Sequence, residues 1–365
     1  MKKLLAILLV LCVMIPLAGC SEKTEKLDPG QVKLDSANYN NLYNHLFFRT
    51  DGKTVLYTSE YWYNTQLFAY QNQVSTKLFE SADFSDEFFQ GSFWGIDQSI
   101  YFRTMSNEGE ERHIYRYDLP SQTHTKLLTA KQLRDWMVVG EYIAYEVNAG
   151  DEYSIYDRYE HYDLYVYSME SQESALVCED VWCFGIVGGR LRYLYATETN
   201  ELGYFEYDFD TQESTLLYSI RGSQHTRNTF FNFTENYLIG FSLYEESAEF
   251  TVYSADGSDN VYTLPRAIQQ FVAGDQFAYA VCYNTKESDY SMIKHEDNDI
   301  YRIDLSDGTY EALDYSVNRG TSIYTVSDDL LYILQIKQRF IGQSYTYVYR
   351  YEHSTDTTTT LFRYQ

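Results

Sequence analysis

Short stretches in which apolar and polar residues alternate follow one another through residues 43–362 of this 365-residue chain. Such alternation is typical of strands that bury one face. The stretches are rich in tyrosine and in β-branched residues, which favour strands, and none shows the 3.6-residue period of a helix. The pattern predicts an all-β fold.

One alternating segment occurs seven times. Each copy contains an aromatic or aliphatic anchor residue and continues, after a polar turn, into a strand rich in threonine and leucine. The anchors are Tyr70, Tyr117, Tyr167, Tyr207, Tyr253, Ile303 and Tyr351. They lie about 40 to 50 residues apart, which is the length of one four-stranded blade of a β-propeller.

Two further strands precede each anchor. A short apolar strand begins roughly fifteen to thirty residues before it, as in Tyr142–Tyr145, and in most copies another strand ends just earlier in a tight turn, as Trp136–Val139 does before Gly140. We therefore predict a single propeller of seven four-stranded blades, with no strand exchanged between the first and last blades. A linear β-solenoid and a pair of β-sandwiches are the alternatives.

The first twenty residues have the pattern of an export signal. Lys2 and Lys3 precede an almost wholly apolar run, Leu4–Leu17, which is too short for a stable membrane-spanning helix. The segment Leu17-Ala18-Gly19-Cys20 resembles the lipobox of bacterial lipoproteins. That resemblance implies cleavage before Cys20 and attachment of a lipid to its sulfur. An ordinary secretory signal and an uncleaved N-terminal anchor are the alternatives.

The predicted organisation follows from this signal. Residues 1–19 are the signal peptide, residues 20–42 are a lipidated cysteine and a polar tether, and residues 43–365 are the propeller. Ser21–Gly30 has few apolar residues and cannot bury enough surface to offset the entropy of ordering it. We expect an extracytoplasmic protein held on the cell membrane by lipid alone, or on the outer membrane if the source has two membranes.

The chain is strongly acidic, with a net charge of -25. Removing Lys2 and Lys3 with the signal peptide changes this to about -27. Such a charge argues against nucleic acid as a partner and against electrostatic contact with anionic lipids. Cationic partners, divalent ions and neutral sugars remain compatible with it, as does a charge that serves only solubility.

The cysteines indicate no disulfide framework. Cys178, Cys183 and Cys282 remain after Cys12 leaves with the signal and Cys20 is lipidated. We expect Cys178 and Cys183 to be buried thiols on adjacent strands, although a bond between them stays open. The sequence contains neither a phosphate-binding loop nor a Gly-x-Ser-x-Gly motif, and we expect no cofactor.

The two longest predicted loops are Val147–Tyr162 in the third copy and Tyr283–Asn298 in the sixth. Long loops on a rigid scaffold are common binding sites, and aromatic residues beside carboxylates suit sugar rings or cationic peptides. The candidate ligand-binding residues are Tyr61, Trp62, Tyr63, Tyr153, Tyr156, Tyr159, His161, Tyr290 and His295. The alternative is that these loops are solvated and contain tyrosine only because the whole chain does.

The repeat itself has a recognisable form. Tyr115-Arg-Tyr-Asp-Leu119, followed by a polar turn and a leucine-containing strand, resembles the TolB-like propeller repeats of bacterial envelope proteins. It is also similar to uncharacterised propeller lipoproteins related to the low-density-lipoprotein-receptor repeat, although the Tyr-Trp-Thr-Asp signature is absent. The resemblance implies protein binding or an envelope scaffold more often than catalysis.

We therefore expect a membrane-anchored binding or scaffold module whose partner is a protein, peptide or glycan of the cell envelope. The alternative is a carbohydrate-active enzyme that uses two carboxylates at the mouth of the propeller channel. A pair of carboxyl groups at this mouth, one of them with a shifted pKa, would favour the enzyme.

Overall fold

The computed structural model describes residues 47–50, 54–61, 64–71, 74–80, 87–106, 111–148, 162–196, 201–220, 229–243, 248–254, 258–282, 298–317, 321–339 and 343–364. Within these ranges the chain forms 27 strands and one 3-10 turn, His353–Thr355. All strand pairs among the described residues are antiparallel, and within each sheet every strand pairs with its neighbours along the chain. The all-β prediction is confirmed.

The strands form seven blades. The first blade consists of β1 (Phe47–Thr50), β2 (Thr54–Tyr61), β3 (Asn64–Gln71) and β4 (Val74–Glu80). The second consists of β5 (Glu87–Ile96), β6 (Ser99–Ser106), β7 (Glu111–Asp118) and β8 (Thr123–Lys131). The third and fourth consist of β9 (Leu133–Val139), β10 (Tyr142–Asn148), β11 (Tyr162–Ser168), β12 (Glu173–Val187), β13 (Arg190–Ala196), β14 (Leu202–Asp208) and β15 (Glu213–Ile220).

The remaining strands complete the ring. The fifth blade consists of β16 (Thr229–Phe233), β17 (Tyr237–Ser242), β18 (Glu249–Ser254) and β19 (Asp259–Thr263). The sixth consists of β20 (Ile268–Ala273), β21 (Phe277–Cys282), β22 (Asn298–Asp304) and β23 (Tyr310–Val317). The seventh consists of β24 (Thr321–Ser327), β25 (Leu330–Arg339), β26 (Gln343–Glu352) and β27 (Thr357–Tyr364).

Blades 3 and 4 differ from the prediction of separate four-stranded sheets because they share a strand. The first half of the 15-residue β12 pairs with β11, and its second half pairs with β13. Asp180, at the crossing, has a φ of 59° and its N–H donates to Asp163, 3.2 Å away. This irregular backbone lets one strand pass from the outer edge of blade 3 to the inner edge of blade 4.

The core lies between the blades. Trp94 of blade 2 meets Trp136 of blade 3 edge to face, with ring centroids 6.5 Å apart, and its indole N–H donates to the Trp136 carbonyl at 3.1 Å. Phe241 of blade 5 stacks on Phe271 of blade 6 at 4.8 Å. Blades that pack on both sides need apolar residues on both faces, which explains strands such as β25.

The ring closes between blades 7 and 1 through side chains. Tyr70 stacks on Phe362 with ring centroids 4.2 Å apart, and its hydroxyl donates to the carbonyl of Leu361 at 2.9 Å. The strands of blade 1 and of blade 7 are each consecutive in sequence. The predicted closure without strand exchange is thus confirmed.

The meander gives the ring two distinct sides. On one side of the ring, the second strand of each blade connects to the third, and the fourth strand connects to the next blade. We call this side the loop face. The opposite face holds the tight turns, such as the one at Gly140, whose φ is 55°. There, the Asp328 carboxylate accepts hydrogen bonds from the N–H groups of Gln276 and Phe277, both at 3.0 Å, and so joins blade 7 to blade 6.

The expectation for the cysteines needs correction. Cys178 and Cys183 are free thiols and lie on the single strand β12, not on adjacent strands, because this strand continues through both blades. Both are half-buried, and Cys282 is buried and free. The part of the chain that the structure describes contains no helix with the length and hydropathy to span a membrane.

Candidate functional site

The two loops chosen from the sequence both leave the loop face, because each joins the second strand of its blade to the third. Tyr61 is the last residue of β2. The other candidate residues lie outside the described residues, as does Cys20: Trp62, Tyr63, Tyr153, Tyr156, Tyr159, His161, Tyr290 and His295. The strand ends below these loops are described, and they carry the polar groups discussed next.

A buried carboxyl group lies below the third-copy loop. Glu146, near the end of β10, is only 3% exposed. Burial raises the pKa of this carboxyl well above its usual range, and the negative charge of Asp135 acts in the same direction, while Arg134 opposes both. No hydrogen bond from the described residues lowers this pKa. Glu146 is therefore a neutral acid at a pH where exposed glutamates are ionised.

Asp135 lies across the strand pair from Glu146. On either side of Glu146, Tyr145 pairs with Trp136 and Val147 pairs with Leu133. The register is irregular between these two pairs, so one residue of β10 faces two residues of β9. Glu146 therefore lies opposite Arg134 and Asp135. The Asp135 side chain is 34% exposed and lies 3.6 Å from the guanidinium of Arg134. Two carboxyl groups, one buried and one in contact with solvent, therefore lie side by side on the loop face.

Arg134 adds a cation and a flat surface to this group. Its guanidinium lies over the ring of Tyr162, 4.4 Å from the ring centroid, and its side chain is 45% exposed. Tyr162 is the first residue of β11 and is buried. The pair offers a partly exposed stacked surface where the third-copy loop ends.

Two arginines of blade 2 hold the first residues of β9. Arg103 donates to the carbonyl of Arg134, and Arg112 donates to the carbonyl of Leu133. Burial and the neighbouring charge of Arg112 lower the pKa of Arg103 to about 10. These hydrogen bonds to the main chain fix the backbone that carries Arg134 and Asp135.

A second, smaller group lies below the sixth-copy loop. Arg266 forms an ion pair with Asp299 at 2.8 Å, and the side-chain amide of Asn298 donates to that of Gln269, also at 2.8 Å. Cys282 precedes the loop, and burial raises the pKa of its thiol to about 12. Here the charged groups of Arg266 and Asp299 face each other.

The sequence contained a signal for Glu146 that the loop-based prediction missed. The second strand of each blade begins after a tight turn, and residues can be counted from that turn. At the position that Glu146 holds in blade 3, four other blades have a buried apolar residue. These are Leu194, Phe241, Val281 and Leu334. A glutamate at a position that is apolar in most other copies departs from the rule of the repeat, and such departures often mark functional sites.

No group of three or more His, Cys, Asp or Glu side chains within the described ranges could hold a metal ion. The Asp304–Gly308 segment, whose carboxylates could suggest calcium ligands, is a hairpin turn between β22 and β23. Its Asp304 carboxylate accepts hydrogen bonds from Ser306, and the Gly308 N–H donates to the Asp304 carbonyl at 2.8 Å. The similar segment at 255–257 lies outside the described residues.

Comparison with solved structures supports the fold. The chain is similar to the β-propeller domain of the Trilobed protease from Pyrococcus furiosus, which has an open velcro topology, with 11% identity, 88% of this chain and 96% of that chain covered, and a TM-score of 0.54. It is also similar to oligogalacturonate lyase from Vibrio parahaemolyticus, with 11% identity, 88% and 92% covered, and a TM-score of 0.52. TolB from Acinetobacter baumannii matches at 9% identity over 84% and 77%, with a TM-score of 0.41.

No protein-family model and no curated protein matches the sequence. The first two of these structures support a shared fold, and nothing more specific follows at this level of identity. The chain is a β-propeller, as its repeats predict.

Proposed function

We propose that this protein is an extracytoplasmic lipoprotein whose propeller binds a partner of the cell envelope through its loop face. Lipid on Cys20 anchors it, and residues 21–42 space the propeller from the membrane. Two or three acyl chains suffice for this, since each buried methylene contributes about 0.8 kcal/mol. The partner is a protein, peptide or glycan.

One observation carries the proposal: the two longest loops leave the same face of a closed ring, and both begin and end beside partly exposed charged groups. Arg134 and Asp135 lie below the first loop, and Arg266 and Asp299 lie below the second. A rigid ring with polar loop bases on one side is well suited to positioning loops for binding.

The experiment uses the full-length lipoprotein in detergent micelles, probed with a glycan array and with solubilised envelope proteins. The variants Arg134→Gln and Arg266→Gln change the loop face. Arg190→Gln is the matched control, because Arg190 follows a turn on the opposite face and its side chain is 65% exposed. We expect the loop-face variants to weaken binding of a captured ligand at least about tenfold, which corresponds to 1.4 kcal/mol, and the control to leave it unchanged. Equal binding by all three variants would contradict the choice of face.

A further inference from the structure

We propose that Arg103, Arg112 and Arg134 bind the C-terminal carboxylate of a peptide on the loop face, where blades 2 and 3 meet. The three side chains come from the strands β6, β7 and β9. This site deepens the proposed function and rests on it, because it makes the partner a peptide and assigns the chemical group that the loop face recognises.

Hydrogen bonds to two consecutive carbonyl groups bring these arginines together. Arg103 donates to the carbonyl of Arg134, and Arg112 donates to the carbonyl of Leu133, the preceding residue. Burial, and then the positive charge of Arg112, lower the pKa of Arg103 to about 10, so that Arg103 remains charged at neutral pH. The guanidinium of Arg134 lies over the ring of Tyr162 and is partly exposed. Three cationic side chains from two blades therefore converge on the start of β9.

Arg103 has no carboxylate in contact with it. Its hydrogen bond is to a main-chain carbonyl, and its buried Nε atom has no hydrogen-bond partner within the described ranges. Four other arginines of the blades do contact carboxylates: Arg192 pairs with Glu206, Arg266 with Asp299, Arg302 with Glu311, and Arg350 with Glu352. A charge held partly out of water costs free energy unless an opposite charge compensates it. A ligand anion would supply that compensation at Arg103.

Arg103 departs from the repeat at the same position as Glu146 does in the next blade. Each is the fifth residue of the second strand of its blade, since β6 begins at Ser99 and β10 at Tyr142. At this position blades 4 to 7 have the buried apolar residues Leu194, Phe241, Val281 and Leu334. The fold therefore accepts an apolar residue here, and stability alone does not explain a charged one. Such departures from a repeat often mark functional sites.

The surrounding charges favour a ligand with a single negative group. The whole chain has a net charge of -25, which repels a partner that carries many negative charges. Guanidinium groups bind a carboxylate through parallel hydrogen bonds to its two oxygens. Asp135 lies 3.6 Å from Arg134 and is partly exposed, so it can attract a positive group of the same ligand. The end of a peptide with neutral or basic side chains has this combination of charges, and an acidic polysaccharide does not.

The test compares peptides that differ only in this carboxylate. An immobilised library of hexapeptides with free C-termini, and the same library with amidated C-termini, are incubated with the full-length lipoprotein in detergent micelles. We expect capture by peptides with a free carboxylate, and binding at least about tenfold weaker by the matching amides, because the amide removes the charge-assisted hydrogen bonds.

Variants then assign the carboxylate to the arginines. Arg103→Leu introduces the residue that blades 4 and 7 have at this position, so it should fold, and denaturant unfolding checks this. Arg103→Leu and Arg112→Gln should each weaken binding of a captured peptide acid at least about tenfold. Arg103→Lys keeps the charge without the planar fork and should bind with intermediate affinity. Arg190→Gln, on the opposite face, is the control and should bind as the wild type does. The peptide acid should also raise the denaturant midpoint of the wild type and leave that of Arg103→Leu unchanged.

Capture of neither library, equal capture of acids and amides, or undiminished binding by Arg103→Leu would each overturn the proposal. Binding of D-glucuronate in preference to D-glucose, without binding of any peptide acid, would place the carboxylate on a glycan and overturn the choice of a peptide. If Arg266→Gln weakens capture of an envelope partner while acids and amides bind equally, the loop-face function stands and only the carboxylate site fails.

Discussion

At the scale of single residues, Glu146 shows most clearly how this chain departs from its own repeat. In blades 4 to 7 the equivalent position adds apolar surface to the junction with the next blade. In blade 3 it holds a carboxyl group that burial keeps protonated. The difference concerns one side chain and leaves the backbone pairing of β10 with β11 regular. Stability alone would favour an apolar residue at this position.

The substitution Glu146→Leu restores the apolar residue of the other blades. The folded state raises the pKa of Glu146, so it holds the proton more tightly than the unfolded state does. The wild-type protein therefore loses stability as the pH rises from the unfolded pKa, about 4.3, through the folded pKa. We expect the variant to be more stable by about 1–3 kcal/mol near neutral pH, and its advantage to grow over this range. Denaturant titrations of both proteins at several pH values measure it, and a variant that is less stable at every pH would contradict this reading of Glu146.

At the scale of elements, β12 determines how blades 3 and 4 are joined. Its second half is the innermost strand of blade 4 and packs against blade 5. A Cβ at Gly185 would lie 2.5 Å from a ring carbon of Phe233 on β16. Phe233 is buried and has little freedom to move away, so the glycine allows the two blades to approach.

Gly185→Ala should therefore destabilise the protein by roughly 1–3 kcal/mol, the usual cost of overpacking a core. Glu173→Ala, at the exposed start of the same strand, is the control and should change stability by less than about 0.5 kcal/mol. Thermal or denaturant unfolding of the two variants provides the measurement. An unchanged stability for Gly185→Ala would show that blades 4 and 5 are less tightly packed than the structure indicates.

The elements also show how far the sequence predicts this fold. The seven anchors and their spacing predict seven blades, because each blade must repeat the same alternation in order to pack on both sides. The continuity of β12 was missed, since it depends on the left-handed backbone at Asp180 and on register shifts that alternation does not encode. The loops were chosen by length and tyrosine content. This reasoning overlooked Asp135 and Glu146, because burial and cross-strand pairing, which bring these two residues together, are not visible in loop length or tyrosine content.

At the scale of the whole molecule, the ring is closed by side chains between its first and last blades. Blades 3 and 4 are joined by a continuous strand, whereas blades 1 and 7 meet through side chains. Phe68 and Tyr70 of blade 1 pack against the apolar cluster of blade 7, and Tyr70 also stacks on Phe362 and donates a hydrogen bond to the carbonyl of Leu361. The stability of the ring should therefore be sensitive to Tyr70.

We expect Tyr70→Ala to destabilise the protein by roughly 2–3 kcal/mol, because it removes both the stacked ring and the hydrogen bond. Tyr70→Phe keeps the ring and should cost only about 1 kcal/mol. Tyr310→Ala, at an exposed tyrosine on β23, is the matched control for loss of an aromatic ring. If Tyr70→Ala and Tyr310→Ala unfold at the same denaturant concentration, the contact between Tyr70 and Phe362 does not close the ring.

In the proposed function, the lipid on Cys20 decides where this ring acts, and one substitution tests this proposal. Wild-type protein and Cys20→Ser are expressed in a bacterial host, and the membrane and soluble extracytoplasmic fractions are probed for the chain. We predict that the wild-type protein stays with the membranes at high salt, because lipid and not charge holds a chain of net charge about -27. Cys20→Ser should appear in the soluble extracytoplasmic fraction. Retention of Cys20→Ser on the membrane would contradict the lipoprotein account.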